Sequence, residues 1–414
     1  MTQAWQHRSL SFRTSPRASA LALMLVIAFI LSVAVAPTAQ AQTFSVLHSF
    51  GNNGDGYEPL AGLAIDAGGN LYGTTFFGGA SNQCSDCGTV FKLARRNSGW
   101  IYSTILSFNG GDGDHPAAQL VFGHDGSLYG TTTAGGNFDN GNVFNLRPQP
   151  RACVTALCPW EATVLHSFDG GDGSYPTNIA FDQAGNLYGT AWDGGTEDLG
   201  SIYELTPSGG SWTFQVLYDF SAFGVSNPNG VIPDQNGNLY GTTSQTPGAA
   251  FELTSSGQFQ VLFTFNSGSG VDPDTGLIFD SSGNLYGQTL YEGPDGYGGT
   301  VFELSPSGGG WSFSLLHSFS GKNNGVVGSP NLVIDAQGNL YGTTAWNGAH
   351  AYGEVFKLTP SSNGWIYTDL YDFTGGNDGC YPWSNVVMDS SGNLYGTASR
   401  CGTYGYGTVW EIMP

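Results

Sequence analysis

Four segments of the chain carry the pattern Asp-Gly-x-x-Pro: Asp55 to Pro59, Asp112 to Pro116, Asp172 to Pro176 and Asp378 to Pro382. A carboxylate beside loop carbonyls suits a hard cation, so Asp55, Asp112, Asp172 and Asp378 are candidate ligands for calcium. The same carboxylates accept hydrogen bonds from the hydroxyls of a polyhydroxylated ligand. Turn chemistry is the competing explanation, because an Asp side chain bonds the backbone two residues on. A second group of candidates lies in segments that vary along the chain: Trp192, Asp193 and Glu197; Tyr291 and Glu292; Trp346, His350 and Tyr352; and Tyr404. Flat aromatics give apolar contact area at small entropic cost, and aromatics beside acids make a platform for carbohydrate. Trp192 and Trp346 also suit a wedge between packed sheets.

Signatures of catalysis are scarce. The sequence contains no His-Glu-x-x-His, no Walker A loop and no Gly-x-Ser-x-Gly elbow. No catalytic residue is assigned. Acid pairs such as Asp193 with Glu197, or Glu292 with Asp295, keep an extracellular polysaccharide hydrolase or lyase as the alternative, since that chemistry needs two carboxylates about 5–10 Å apart. His48, His166 and His317 share one repeat position with Leu106, Tyr218, Phe263 and Tyr371, which marks it as a packing position.

Seven copies of one unit must position these residues. Gly-Asn-Leu-Tyr-Gly-Thr begins at Gly69, Gly185, Gly237, Gly338 and Gly392, with close variants at Gly126 and Gly283. The spacing of 46 to 59 residues suits a four-stranded unit. In the first unit the expected strands are Leu63 to Ile65, Leu71 to Thr75, Thr89 to Leu93 and Trp100 to Phe108, here called a to d. An Asp opens the a–b turn in six units, and Gly123 replaces it in the second. The start of the chain after residue 43, Phe44 to Phe50, matches the d strands Val164 to Phe168 and Leu315 to Phe319. The end, Thr408 to Ile412, reads as a c strand with no d strand after it. Pairing the two closes a ring and removes exposed sheet edges. The expectation is an all-β, seven-bladed β-propeller of four-stranded antiparallel blades, closed by the N-terminal strand completing the last blade. In such blades the d–a and b–c loops emerge on one end. They are long here, and that end is the expected binding face.

Residues 1–41 read as an export signal: Arg8, Arg13 and Arg17 precede the apolar run Ala20 to Ala36, and Ala39-Gln40-Ala41 ends it. Residues 42–414 form the propeller domain in this reading, with no membrane insertion once the signal is cleaved. An uncleaved anchor is the other reading of the run. Without residues 1–41 the chain has 8 Lys and Arg against 32 Asp and Glu, a net charge of −24. That excludes nucleic acid as a partner, because phosphate backbones need a basic footprint. Six cysteines in an exported chain favour disulfides, with local pairing simplest among Cys84, Cys87, Cys153, Cys158, Cys380 and Cys401. Cys84 and Cys87 also have the spacing of a redox or metal pair.

The succession Val-Leu-His-Ser-Phe, Gly-Gly-Asp-Gly, Pro, Phe-Asp, Gly-Asn-Leu-Tyr-Gly-Thr and Gly-x-Val-Phe-x-Leu over residues 43–414 resembles the GloVer (Gloeo_Verruco) tandem-repeat family of exported bacterial proteins. The resemblance implies an extracellular or cell-surface location and brings no established activity. Relatives often carry a C-terminal sorting anchor; this chain stops at Pro414, just after its last strand, which argues against that route. The expected function is a monomeric, secreted, non-enzymatic binding propeller for carbohydrate or protein. A structural repeat protein of the cell surface is the third reading.

Overall fold

In every repeat the Leu-Tyr-Gly segment forms the second strand of a four-stranded antiparallel sheet, and seven such sheets make the blades of a propeller. The computed structural model describes residues 42–51, 54–148, 160–221, 224–320 and 332–414. Blade 1 consists of Ala64–Ile65, Leu71–Thr75, Thr89–Arg96 and Gly99–Ser107. Blade 7 consists of Val387–Met388, Leu394–Ala398 and Thr408–Met413, and its fourth strand is Thr43–Ser49 from the other end of the chain. The register runs from Thr43 opposite Met413 to Ser49 opposite Thr408. The ring therefore closes as expected from the unmatched first and last strands.

The repeated residues each have a physical task. In the a–b turn, Asp66 accepts hydrogen bonds from the backbone N–H of Gly68 (2.9 Å) and Asn70 (2.9 Å), the Asn70 amide (2.8 Å) and the Tyr72 hydroxyl (3.0 Å). One carboxylate thus explains both the Asn and the Tyr of the motif. In blade 2, Asp125 takes the place of the missing Asp and accepts from the Ser127 N–H (3.0 Å) and hydroxyl (2.9 Å). Burial alone raises the Asp335 carboxyl, but hydrogen bonds from Asn339, Tyr341 and Gln337 outweigh it and hold the group below its ordinary range.

Two glycine positions are dictated by contact. The Gly inside strand b lies under the c-strand aromatic: a Cβ on Gly73 would sit 2.6 Å from Phe91 Cζ. The Gly before strand c has a positive φ, 85° at Gly88 and 103° at Gly407, and packs on the proline of the next blade. A Cβ there would meet Pro116 Cδ at 2.7 Å and Pro59 Cδ at 2.6 Å, so the Gly407–Pro59 joint repeats at the closure what Gly88–Pro116 does inside the chain.

The first strands lie innermost. Gln119 of blade 2 donates to Leu63 O of blade 1 (2.6 Å) and accepts from the Asn385 amide of blade 7 (2.6 Å), so side chains from separate blades meet at the axis. Two disulfides form among the described residues, Cys84–Cys87 and Cys380–Cys401. The thiolate reading of Cys84 and Cys87 is thereby removed. Cys153 and Cys158 lie outside the described residues, as does the export signal.

Candidate binding site on the long-loop face

Six d–a loops reach the long-loop face through a residue of unusual backbone. The residue before the loop proline has a left-handed conformation in each: Glu58 (φ 54°), His115 (57°), Tyr175 (53°), Asn227 (59°), Asp272 (58°) and Tyr381 (56°). A side chain at positive φ before proline is strained twice over, by its own Cβ and by the proline ring. Backbone bonds to two blades hold it. Tyr381 N–H donates to Tyr352 O of blade 6 (2.9 Å), and its carbonyl accepts from Ser399 of blade 7 (3.1 Å). Asp272 is held the same way by Pro247 O (3.1 Å) and Leu290 N–H (2.9 Å), and His115 by Cys87 O and Thr133 N–H (both 3.1 Å). The backbone is thus fixed by the fold while the side chain is free to differ. Together the six strained residues form a collar whose side chains vary and are mostly polar. The collar was not singled out from sequence, although a constant proline preceded by changing residues is a legible signal.

Inside the collar the innermost strands open into a crescent of cavities. One of about 350 Å³ is lined by Leu60, Gln119, Asn178, Asp274, Trp383 and Asn385. A second of about 250 Å³ shares Asn178 and Asp274 and adds Tyr175, Trp192 and Asn229. A third of about 410 Å³ shares Trp192 and Asp274 and adds Asn227, Gln245 and Asp272. The floor is amide: Asn385 bonds Gln119, and Asn178 Oδ1 accepts from Gln119 N–H (3.3 Å). The walls are indole. Trp192 is 38% exposed, with its Nε1 donating to Ser244 Oγ (2.9 Å). Trp383 packs edge-on against Trp346, ring centroids 4.5 Å apart.

Burial pushes the Asp272 carboxyl up to about 6, and its Oδ1 has no hydrogen-bond partner. The charged form is therefore disfavoured in the folded state relative to the unfolded chain, whose value is near 3.8. The sign follows: any stability from this group is complete below pH 4 and is lost as pH rises through 6. A shift of two units is worth about 3 kcal/mol, which solvent in the open cavity reduces to about 1 kcal/mol. Asp272→Asn keeps a residue that tolerates the left-handed backbone. Its melting curve at pH 7.5 is expected to show a gain of about 1 kcal/mol over wild type, and the gain disappears at pH 4. Equal differences at both pH values would show that burial does not disfavour the charge.

The residues singled out from sequence divide into two groups. Trp192 lines the crescent. Asp193 stands behind it, with Asn227 donating to its carboxylate (3.0 Å), and burial followed by the Asp198 charge raises it. Trp346 reaches the crescent through Trp383, and Tyr352 lies 6.0 Å from the ring of Tyr381. Glu197, Tyr291, Glu292, His350 and Tyr404 line none of the three cavities among the described residues; Glu197, His350, Tyr291 and Tyr404 are exposed.

The four Asp-Gly-x-x-Pro carboxylates each engage their own loop. Asp55 accepts from Gly51 N–H (3.1 Å), Asp112 from Asn109 N–H (2.8 Å), and Asp172 from Asp169 N–H (2.9 Å). Asp378 accepts from Thr374 N–H (2.7 Å) and the Tyr371 hydroxyl (3.0 Å). Two of them also meet the d-strand histidines, His166 Nε2–Asp172 at 2.7 Å and His48 Nε2–Asp55 at 3.3 Å. Those histidines stack on the next blade, on Phe214 (3.5 Å) and Tyr102 (4.0 Å), as a packing position requires.

The Gloeobacter/Verrucomicrobia repeat model matches residues 33–163, 155–329 and 244–414. No curated protein matches the chain in sequence. Among solved structures, a provisionally assigned gluconolactonase is similar at 13% identity over 91% of this chain and 92% of its own, TM-score 0.44. A gluconolactonase from Xanthomonas campestris is similar at 14% identity over 69% and 82%, TM-score 0.40. A luciferin-regenerating enzyme is similar at 13% identity over 71% and 90%, TM-score 0.44. At these values their activities say nothing about this chain.

Proposed function

The chain belongs to the Gloeobacter/Verrucomicrobia repeat family, and we propose that it is an exported propeller that binds carbohydrate in the crescent at the centre of its long-loop face. The observation that carries this reading is one set of cavities bounded by Trp192 and Trp383 and floored by Gln119, Asn178 and Asn385, with Asp274 shared by all three. A sugar ring offers an apolar face for an indole and hydroxyls that both donate and accept. Amides answer both roles, and a carboxylate accepts. A cavity of a few hundred cubic ångströms suits one or two rings. The disulfides Cys84–Cys87 and Cys380–Cys401 and the leader-like residues 1–41 support export, because disulfides persist in oxidising compartments.

The test is a glycan array followed by calorimetry on the best hit, with wild type, Trp383→Ala and Trp192→Ala. Each truncation removes a stacking face worth roughly 1.4 kcal/mol or more, so each is expected to weaken binding about tenfold or more. The melting temperature of each variant is measured beside it. A wild-type protein silent on all glycans, or variants that bind as well as wild type, would sink the proposal. Release of free sugar from a polysaccharide would replace it with the hydrolase or lyase reading.

A further inference from the structure

The first residue of strand c is polar in six of the seven blades. It is Thr89, Asn142, Ser201, Ala249, Thr300, Glu354 and Thr408 in order. Only blade 6 places an acid there. In blades 1 and 5 the slot faces the threonine that ends strand b: Thr75 and Thr89 hydroxyls lie 2.8 Å apart, Thr289 and Thr300 hydroxyls 2.9 Å apart. The corresponding threonine in blade 6 is Thr344, paired directly with Glu354. Opposed residues of an antiparallel pair project to one face, so the Thr344 and Glu354 side chains lie side by side. Thr344 is 0% exposed, and its Oγ1 has no hydrogen-bond partner.

Two more acids join from strand d. One oxygen each of Glu354, Asp369 and Asp372 lie within 4.8 Å of one another. That is the span of oxygens across an ion bonded at about 2.4 Å. Neighbours already orient the set. The Tyr367 hydroxyl (2.7 Å) and the Asn347 amide (2.9 Å) both donate to Glu354 Oε1, which leaves Oε2 for another partner. Ala349 N–H donates to Asp372 Oδ1 (2.8 Å).

We propose that Glu354, Asp369, Asp372 and the Thr344 hydroxyl form a divalent-cation site in blade 6, selective for calcium over softer metals. The donor set is all oxygen, without His or Cys, and the exposed side at Asp369 leaves room for the waters that complete six to eight ligands. Electrostatics supports the same point. Burial, then the charges of Asp369 and Asp372, pushes Glu354 up to about 7. Burial, then Asp372, pushes Asp369 up to about 6. Three carboxylates so close need protons or a cation near neutral pH. The ion would staple the b–c loop, through Asn347 and Ala349, to the blade edge. That loop carries His350 and Tyr352. The site stands independently of the carbohydrate reading.

The test uses the full chain stripped with EDTA at pH 8. Calcium and magnesium are titrated by calorimetry and thermal melting, and terbium is titrated for luminescence sensitised by Tyr367. A single calcium site in the micromolar to millimolar range is expected. The melting temperature should rise by about 2–5 °C at a hundredfold excess over Kd. Glu354→Gln and Asp369→Asn should each weaken calcium binding about tenfold or more. Asp369 is exposed, so its variant keeps the fold even if the Glu354 variant does not. Absence of calcium binding by wild type, as expected if protons alone neutralise the cluster, would overturn the proposal. So would calcium binding that persists unchanged in the Asp369→Asn protein.

Discussion

Deletion of residues 43–49 is expected to abolish cooperative folding, and transplanting the same segment behind Pro414-Gly, a two-residue turn, to restore it. The deleted strand supplies the outer ladder of blade 7 and much of one joint. Phe44 stacks on Tyr371, ring centroids 3.8 Å apart and 5° from parallel, and Leu47 packs into the cluster of Phe50, Leu63, Tyr395 and Val409. His48 stacks on Tyr102 of blade 1. These side chains are half-buried, so each contributes part of the roughly 1.5–3 kcal/mol that full burial is worth. Together with the ladder bonds, the loss approaches the roughly 5–15 kcal/mol that holds a domain folded. The remaining edge, Thr408–Met413, is almost wholly buried in the intact ring, and exposing Val409 and Ile412 on an unpaired strand invites aggregation. Circular dichroism, size exclusion and melting of the three chains measure this. In the transplanted chain every strand keeps its hydrogen-bonded neighbour, so its melting temperature should lie within a few degrees of wild type. A truncated chain that melts as sharply and as high as wild type would mean the closure contributes little.

Trp410 gives the second large effect, with a built-in control. Its side chain is fully buried in blade 7 and lies over Gly396, where an added Cβ would sit 2.3 Å from Cζ2. Phe373 packs edge-on at 5.9 Å, and Phe44 lies at 6.4 Å. Trp410→Ala should cost about 3–5 kcal/mol, because the blades on either side are held by their own sheets and cannot collapse into the cavity. The other blades use Phe91, Phe144, Tyr203, Phe251, Phe302 and Phe356 at this position over the same glycine. The Trp410 indole N–H is moreover buried without a partner. Trp410→Phe therefore loses volume but also removes an unsatisfied donor, and should cost no more than about 1 kcal/mol. Denaturant midpoints of the two variants test the difference. A phenylalanine variant as damaged as the alanine variant would show that blade 7 depends on the larger ring in a way the other six do not.

Legibility varied from residue to residue. The four-strand unit, the closure by Thr43–Ser49 and the turn role of the a–b aspartates could be read because seven copies average out local variation. Trp192 was legible as a site residue and lies on the crescent. Tyr291, His350 and Tyr404 read equally well, yet line none of its cavities among the described residues. Which loop side chain reaches the axis depends on the loop backbone, which residue type does not reveal. Trp383 and the residues before the loop prolines read as turn chemistry, because the Asp-Gly-x-x-Pro pattern accounts for the loop without them. The recurring bulge between strands c and d, present for instance at Val90/Phe91 and Val355/Phe356, had no sequence signal.

Composition, repeat period and the two unmatched terminal strands were enough for the architecture, since everything they describe is settled within one repeat or between neighbouring strands. The centre of the long-loop face is different. Gln119 and Asn385 stand 266 residues apart and touch because the ring closes; Asn178 and Asp274 join them from two further blades, and Trp383 from two residues before Asn385. Chemistry assembled about an axis depends on how far each blade is rotated and how each loop leaves it. Those quantities come from packing between sheets, and no linear pattern records them.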